Sequence, residues 1–272
     1  MSEISIFGKV IPTYGLMCFL GIAAAAVVAV MLAKKQKIDF YDFVETAIIT
    51  LICAGIGAKL LFVIVSWNSI IEMFKNNSFW ASLEAIIKGG FVFYGGLIGG
   101  AIGLFLTLKI KKQPILKTVN IYAVVLTLGH AFGRIGCFMA GCCYGMEYNG
   151  FLSFTYKSAM DLSTPIGVPL LPIQLIEAFA LFALFAILLV AYLKMAKHRN
   201  MVCLIYAFGY SIIRFTLEFF RGDKERGLFL NLSTSQWISI LIFVVATSLM
   251  VKYIYTIIKN KKEKVLEEKT QQ

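Results

Sequence analysis

Seven long apolar runs, separated by short polar stretches, occupy most of the chain. They lie near residues 13–33, 43–66, 91–109, 119–140, 172–196, 201–221 and 236–258. Each has the roughly 17–25 mostly apolar residues that let a helix cross the hydrocarbon of a bilayer. A transmembrane β-barrel would show short segments of alternating polarity instead, so that architecture is excluded. The first run has no basic segment before it and continues to full spanning length, which reads as a true span and not a cleavable signal peptide. The pattern predicts an all-α polytopic membrane protein with seven transmembrane helices. Residues 1–258 are expected to form one transmembrane domain with outer segments at about 67–90 and 141–171, followed by a charged tail over 259–272.

Composition and charge add orientation. The chain is 59% hydrophobic and only 15% charged, with a mean hydropathy of +0.81, outside the range of soluble globular domains. A net charge of +11 raises the question of nucleic acid, and its distribution answers it. Of the 26 lysines and arginines, 16 follow the first, third, fifth and seventh spans. They are Lys34, Lys35 and Lys37; Lys109, Lys111, Lys112 and Lys117; Lys194, Lys197 and Arg199; and six between Lys252 and Lys269. The positive-inside rule assigns those loops and the C-terminus to the cytoplasm and the N-terminus to the outside. The basic excess is a topology signal and an attraction to anionic lipid heads, and no nucleic-acid partner is expected.

Candidate chemistry concentrates in the stretch Gly129–Gly145, GHAFGRIGCFMAGCCYG. An arginine at membrane depth needs a polar partner or a wet cavity, so Arg134 reads as part of a functional site. On a helix, His130, Arg134 and Cys137 share one face. A second constellation lies in the sixth span, where Tyr210, Arg214, Glu218 and Arg221 are spaced by four, four and three. An internal salt bridge to Glu218 would neutralise one of its arginines. With Arg134 added, the remaining guanidinium charge is expected to be in surplus, and arginine's planar fork suits phosphate.

Other features have a structural reading beside a functional one. Tyr14, at the start of the first span, fits an interfacial belt residue. Lys59, beside Gly55 and Gly57, either snorkels or pairs within the bundle. The segment from Trp67 to Lys88 fits an amphipathic helix at the interface. Gly95, Gly99 and Gly103 recur every fourth residue, as tight helix packing requires, with Tyr94 just before them. The polar segment 146–171 is long enough to suggest a lid or entry element. Gln174 and Glu177 share a face at the mouth of the fifth span. Cys18, Cys53 and Cys203 read as small hydrophobes within spans, while Cys137, Cys142 and Cys143 approach the outer face. Three cysteines with one possible histidine do not form a recognisable zinc site, and neither metal nor cofactor is expected.

Taken together, these residues resemble the prolipoprotein diacylglyceryl transferase family, bacterial membrane enzymes with seven transmembrane helices. Tyr14-Gly15-Leu16 resembles the family's YGL, and Gly57-Ala58-Lys59-Leu60 its GARL. Tyr94-Gly95-Gly96-Leu97-Ile98-Gly99 is similar to HGGLIG, and Gly133-Arg134-Ile135-Gly136 to the start of GRxGNFxNxExxG. Pro172 to Glu177 resembles HPxQLYE without its histidine, and Arg214 to Arg221 resembles RFxxEFFR, followed by Asp223. The chain departs from the pattern at Cys137, Ala140 and Cys142, where the family has Asn, Asn and Glu. It also has Tyr94 for the motif histidine and Asn120 for an aspartate early in the fourth span.

The resemblance implies transfer of the diacylglyceryl group of phosphatidylglycerol to the thiol of a lipobox cysteine in a secreted prolipoprotein signal peptide. The product is a thioether, and glycerol phosphate leaves. The implied place is the bacterial cytoplasmic (inner) membrane, with a lipid-accessible site toward the outer leaflet. Arg134 and Arg214 are implied to hold the phosphate, with Tyr14, Tyr210, Glu218, Arg221, Gln174 and Glu177 shaping the pocket and Cys137 and Cys142 beside it. Tyr94 stands where the family has its base, and a phenol with a pKa of about 10 is a poor base at neutral pH. His130, one turn from Arg134, is the candidate to replace it in part, against a structural role. Two other readings compete. Cys137, Cys142 and Cys143 near an arginine fit a covalent lipid transferase or thiol-disulfide enzyme. A positive cavity fits an anion or lipid transporter, although the halves show no repeated motif.

Overall fold

The computed structural model describes residues 3–6, 9–90, 92–195, 198–223 and 228–270. Phe91, the expected start of the third span, and Lys197, one of the expected cytoplasmic markers, lie outside the described residues. So do residues 224–227 and 271–272. The helices are α1 (Thr13–Lys35), α2 (Phe40–Val65), α3 (Trp67–Asn76), α4 (Phe79–Lys88), α5 (Phe93–Ile110), α6 (Ile115–Ala140), α7 (Ile173–Lys194), α8 (Met201–Glu218) and α9 (Thr234–Thr270). The described residues also form three antiparallel strand pairs, one before α1 and two between helices: β1 (Glu3–Ile6) with β2 (Lys9–Pro12), β3 (Phe154–Thr155) with β4 (Pro169–Leu170), and β5 (Leu228–Phe229) with β6 (Leu232–Ser233).

Among the described residues six helices, α1, α2, α6, α7, α8 and the apolar part of α9, are long and apolar enough to cross a membrane. The third expected run forms a shorter apolar helix, because Gly89 and Val92 are extended and helix geometry begins only at Phe93. The chain falls into two compact units, residues 1–29 with 119–272, and residues 30–118.

In the unit 30–118, α2 and α5 meet along the glycines. A Cβ added to Gly57 would stand 2.3 Å from the Gly95 carbonyl oxygen, and one on Gly99 would stand 2.3 Å from that of Cys53. The backbones therefore touch, which only glycine at these positions permits. Asp39 caps α2 by accepting a hydrogen bond from the Asp42 N–H at 3.0 Å. At the other end of the α2–α5 pair, the Lys59 Nζ donates to the carbonyls of Ile86 (2.8 Å) and Gly89 (2.9 Å). Lys59 thus caps the C-terminus of α4, where a cation meets both the orphan carbonyls and the helix dipole. Residues 67–88 form two amphipathic ten-residue helices, α3 and α4, broken at the extended Asn77.

In the other unit, α6 buries Ile121, Val124, Val125, Leu128 and Ala131 at helical spacing. The Asn120 side chain accepts a hydrogen bond from the Cys203 backbone N–H at 2.9 Å, supplying a partner to the first turn of α8. Ser233 and Gln236 exchange bonds at the start of α9, a capping box in which the Gln236 N–H reaches Ser233 Oγ at 3.2 Å and the Ser233 N–H reaches Gln236 Oε1 at 2.9 Å. The segment 141–171, which contains the suggested lid or entry element 146–171, is folded. It folds over the end of α6 around Tyr144, Tyr156 and Leu170, with Phe138, Phe154 and Val168 packed against them. Tyr156 Oη donates to the Phe138 carbonyl at 3.1 Å and Tyr144 Oη to that of Ser163 at 3.0 Å. The buried hydroxyls thereby keep hydrogen-bond partners.

Candidate active site

The site grows from three helices of one unit. Helical spacing on α6 aligns His130, Arg134 and Cys137, and on α8 it aligns Tyr210, Arg214 and Glu218. Between them α7 contributes Glu177, which is 2% exposed. One Glu177 oxygen lies 3.0 Å from Arg134 Nε and the other 4.0 Å from Arg214 Nη1. Two guanidinium groups from separate helices thus share one buried carboxylate. His130 Nε2 approaches the same carboxylate at 4.0 Å, and its ring tilts against Tyr210 with centroids 5.5 Å apart. Tyr210 in turn stacks on Tyr206.

Arg214 is held further by Glu218, at 2.7 Å from Nη2, and by Ser235, whose Oγ accepts from Nη2 at 3.1 Å. Arg221 does not pair with Glu218. Helix α8 ends at Glu218, so the three-residue spacing no longer places Arg221 on its face. Its guanidinium binds Asp223 instead with two parallel bonds of 3.0 and 2.8 Å.

These contacts correct the expected surplus of positive charge. Glu177, Glu218 and Asp223 match Arg134, Arg214 and Arg221 in formal charge. The buried ion pairs reduce the penalty each isolated charge would incur. What remains is directional: Arg134 Nε and Arg214 Nη1 are buried donors with no hydrogen-bond acceptor among the described residues. The 3.0 Å approach of Arg134 to Glu177 is too oblique to count as one, so the contact is Coulombic.

Just past Arg134 the helix reverses. Gly141 adopts φ +74°, and the N–H groups of Gly141 and Cys142 bond to the carbonyls of Phe138 (3.2 Å) and Cys137 (3.1 Å). This is a Schellman stop, which needs the left-handed conformation glycine supplies most readily. It folds Cys142 and Cys143 back over Cys137, and their three sulfur atoms lie within 4.8 Å of one another. All six cysteines are free thiols. Gln174 Nε2 fastens the turn to α7, donating to the Cys142 carbonyl at 2.8 Å and to Tyr156 Oη at 3.3 Å. Tyr14, in the first turn of α1, packs over Gly136 beside Cys18, Cys137 and Cys142. Thiol hydrogen bonds from Cys137 and Cys142, and then the guanidinium groups of Arg221 and Arg134, hold the Cys143 thiol below its ordinary range.

The structure therefore gathers Tyr14, His130, Arg134, Cys137, Cys142, Gln174, Glu177, Tyr210, Arg214, Glu218 and Arg221 in one unit, while Tyr94 opens α5 in the unit 30–118. Ser235 and Tyr156 join the site's supports without having been singled out by sequence. The capping pattern Ser233-Thr234-Ser235-Gln236 was a usable signal for the first, and an isolated tyrosine in a polar segment gave none for the second. Between α8 and α9 an apolar cavity of about 250 Å³ is lined by Ile212, Phe215, Ile240 and Phe243, next along the helix from Arg214.

Known proteins match most of the chain. The chain is 34% identical over 243 residues to phosphatidylglycerol–prolipoprotein diacylglyceryl transferase 2 of Clostridium perfringens, covering 88% of this chain and 90% of that protein. Against the Clostridium tetani phosphatidylglycerol–prolipoprotein diacylglyceryl transferase the identity is 33%, covering 88% and 92%. Against that of Finegoldia magna it is 30%, covering 94% and 96%. A sequence model described as prolipoprotein diacylglyceryl transferase matches residues 3–252, a range that takes in every helix carrying the site. With that match over nearly its full length, the chain belongs to the prolipoprotein diacylglyceryl transferase family.

Proposed function

We propose that this chain is a transferase that moves the diacylglyceryl group of phosphatidylglycerol to the cysteine thiol of a lipobox in a secreted prolipoprotein. The observation that carries the reading is the pair of buried guanidinium groups, Arg134 and Arg214, set on opposite oxygens of Glu177 with donors to spare. The acceptor thiol loses a proton, its sulfur bonds to the glycerol carbon, and the carbon–oxygen bond to phosphate breaks. Glycerol phosphate departs carrying one more negative charge than the phosphodiester had. Arg134 and Arg214 therefore bind the developing leaving group more strongly than the substrate, which is what accelerates the step. Glu177 and Glu218 hold the guanidinium forks in place, Arg221 stiffens the loop after α8, and Tyr14, Tyr210 and Gln174 shape the pocket. Cys137 and Cys142 lie at the acceptor's side of it. His130 is the candidate proton acceptor.

In this reading the chain is one multi-pass domain of the bacterial cytoplasmic membrane. Helix α5 serves as the third of seven spans, the N-terminus lies outside, and the site faces the outer leaflet so that the lipid enters sideways. The distribution of basic residues supports that orientation. The names of the relatives support the donor and the acceptor class. Rescue of bacterial cells depleted of their own diacylglyceryl transferase tests the proposal. Growth with lipidated prolipoprotein supports it, and stable expression with unmodified prolipoprotein accumulating contradicts it.

A further inference from the structure

Cys137, Cys142 and Cys143 are the one group of metal-ligating side chains that converges among the described residues. Their sulfur atoms lie within 4.8 Å of one another. A tetrahedral zinc ion with bonds of about 2.3 Å needs sulfurs about 3.8 Å apart, so closing on an ion takes shifts of roughly 1 Å or less. The backbone is already arranged for this. The Schellman stop sets Cys142 over Cys137, and Cys143 itself is left-handed at φ +57°, a conformation that a non-glycine residue keeps only where its surroundings hold it. Gln174, 1% exposed, fixes the Cys142 carbonyl from α7. Three thiolates and one dication leave one negative charge. The guanidinium ends of two ion pairs, Arg134 near Cys137 and Cys143 and Arg221 near Cys143, are the groups that meet that charge.

We propose that Cys137, Cys142 and Cys143 form a three-thiolate site for zinc whose fourth position is open to an external thiolate. Soft sulfur donors select such an ion, and three protein ligands leave the tetrahedron incomplete. The external ligand is the acceptor cysteine, a clause that rests on the function proposed above; the metal site itself does not. On binding, the acceptor thiol gives its proton to His130, the proton acceptor proposed above, and its sulfur takes the fourth position. No electrons are exchanged. The same sulfur then bonds to the glycerol carbon as the phosphate ester breaks.

The test uses the full chain, purified in detergent and reduced, with zinc or cobalt(II) added. One equivalent of zinc is expected per chain, and zinc should protect three of the six cysteines from maleimide, identified by mass spectrometry as Cys137, Cys142 and Cys143. Cys142→Ser should weaken zinc binding at least tenfold, while Cys203→Ser leaves it unchanged. Cobalt should give thiolate charge-transfer absorption that shifts with a lipobox peptide and not with its serine analogue. Absence of stoichiometric zinc, or protection of other cysteines, overturns the site. A cobalt spectrum indifferent to the thiol peptide overturns the open-position assignment. Binding is read without turnover, so a chain that binds zinc but transfers no lipid counts against the proposed function and not against the metal site.

Discussion

Glu177 is the residue on which the candidate site turns. It is nearly inaccessible, it meets Arg134 and Arg214 on its two oxygens, and His130 stands at the same carboxylate. Removing one member of a buried charge group leaves the others uncompensated, at a cost of about 3–5 kcal/mol. Glu177→Gln is therefore expected to lower the thermal midpoint of the purified chain and to reduce transferase activity even below that midpoint. An unchanged midpoint would show that Glu177 does not hold the two guanidinium groups. Much of this cluster is legible in sequence, because helical periodicity alone puts His130 with Arg134 and Arg214 with Glu218. The partner choices are not. Arg134 finds its carboxylate on another helix, and Arg221 turns to Asp223 because α8 stops three residues before it. Periodicity describes one helix and is silent about its neighbour and its end.

Among the elements, the α2–α5 pair follows most directly from composition. Glycines four apart predict close packing, and the backbones do touch at Gly57, Gly95 and Gly99. A methyl group at Gly99 would lie 2.3 Å from a carbonyl oxygen that cannot rotate away, so the helices must separate. Gly99→Ala is expected to destabilise the chain by about 1–3 kcal/mol, as overpacking does. Gly55 lies on the same helix as Gly57 with nothing within 4 Å of an added Cβ. Gly55→Ala should be neutral or raise the midpoint slightly, since alanine is favoured over glycine in a helix by up to about 1 kcal/mol. Equal effects of the two substitutions in thermal unfolding would contradict the seam. The segment after α6 shows where legibility ends. Its polarity and length suggest a lid or entry element, and sequence gives no sign that Tyr144, Tyr156 and Leu170 provide it with a small core of its own. Three apolar residues scattered over 27 positions carry no period from which that packing can be read.

At the scale of the whole molecule, an apolar chain spends its few charges in two ways. Most of the basic excess flanks the helices, where the positive-inside rule makes it a topology signal. A smaller set is buried, balanced in formal charge, and held so that Arg134 Nε and Arg214 Nη1 are donors without acceptors among the described residues. In the proposed reaction a phosphodiester monoanion becomes a phosphate dianion as it leaves, and Arg134 and Arg214 are the charges placed to follow that change. Each guanidinium that follows this change is worth about 100-fold or more in turnover. The most direct measurement is the initial rate of thioether formation on a lipobox peptide with phosphatidylglycerol as donor, compared between the unaltered chain, Arg134→Ala and Arg214→Ala. The account predicts a loss of at least about 100-fold for each substitution with helical content retained. Rates close to that of the unaltered chain would contradict it.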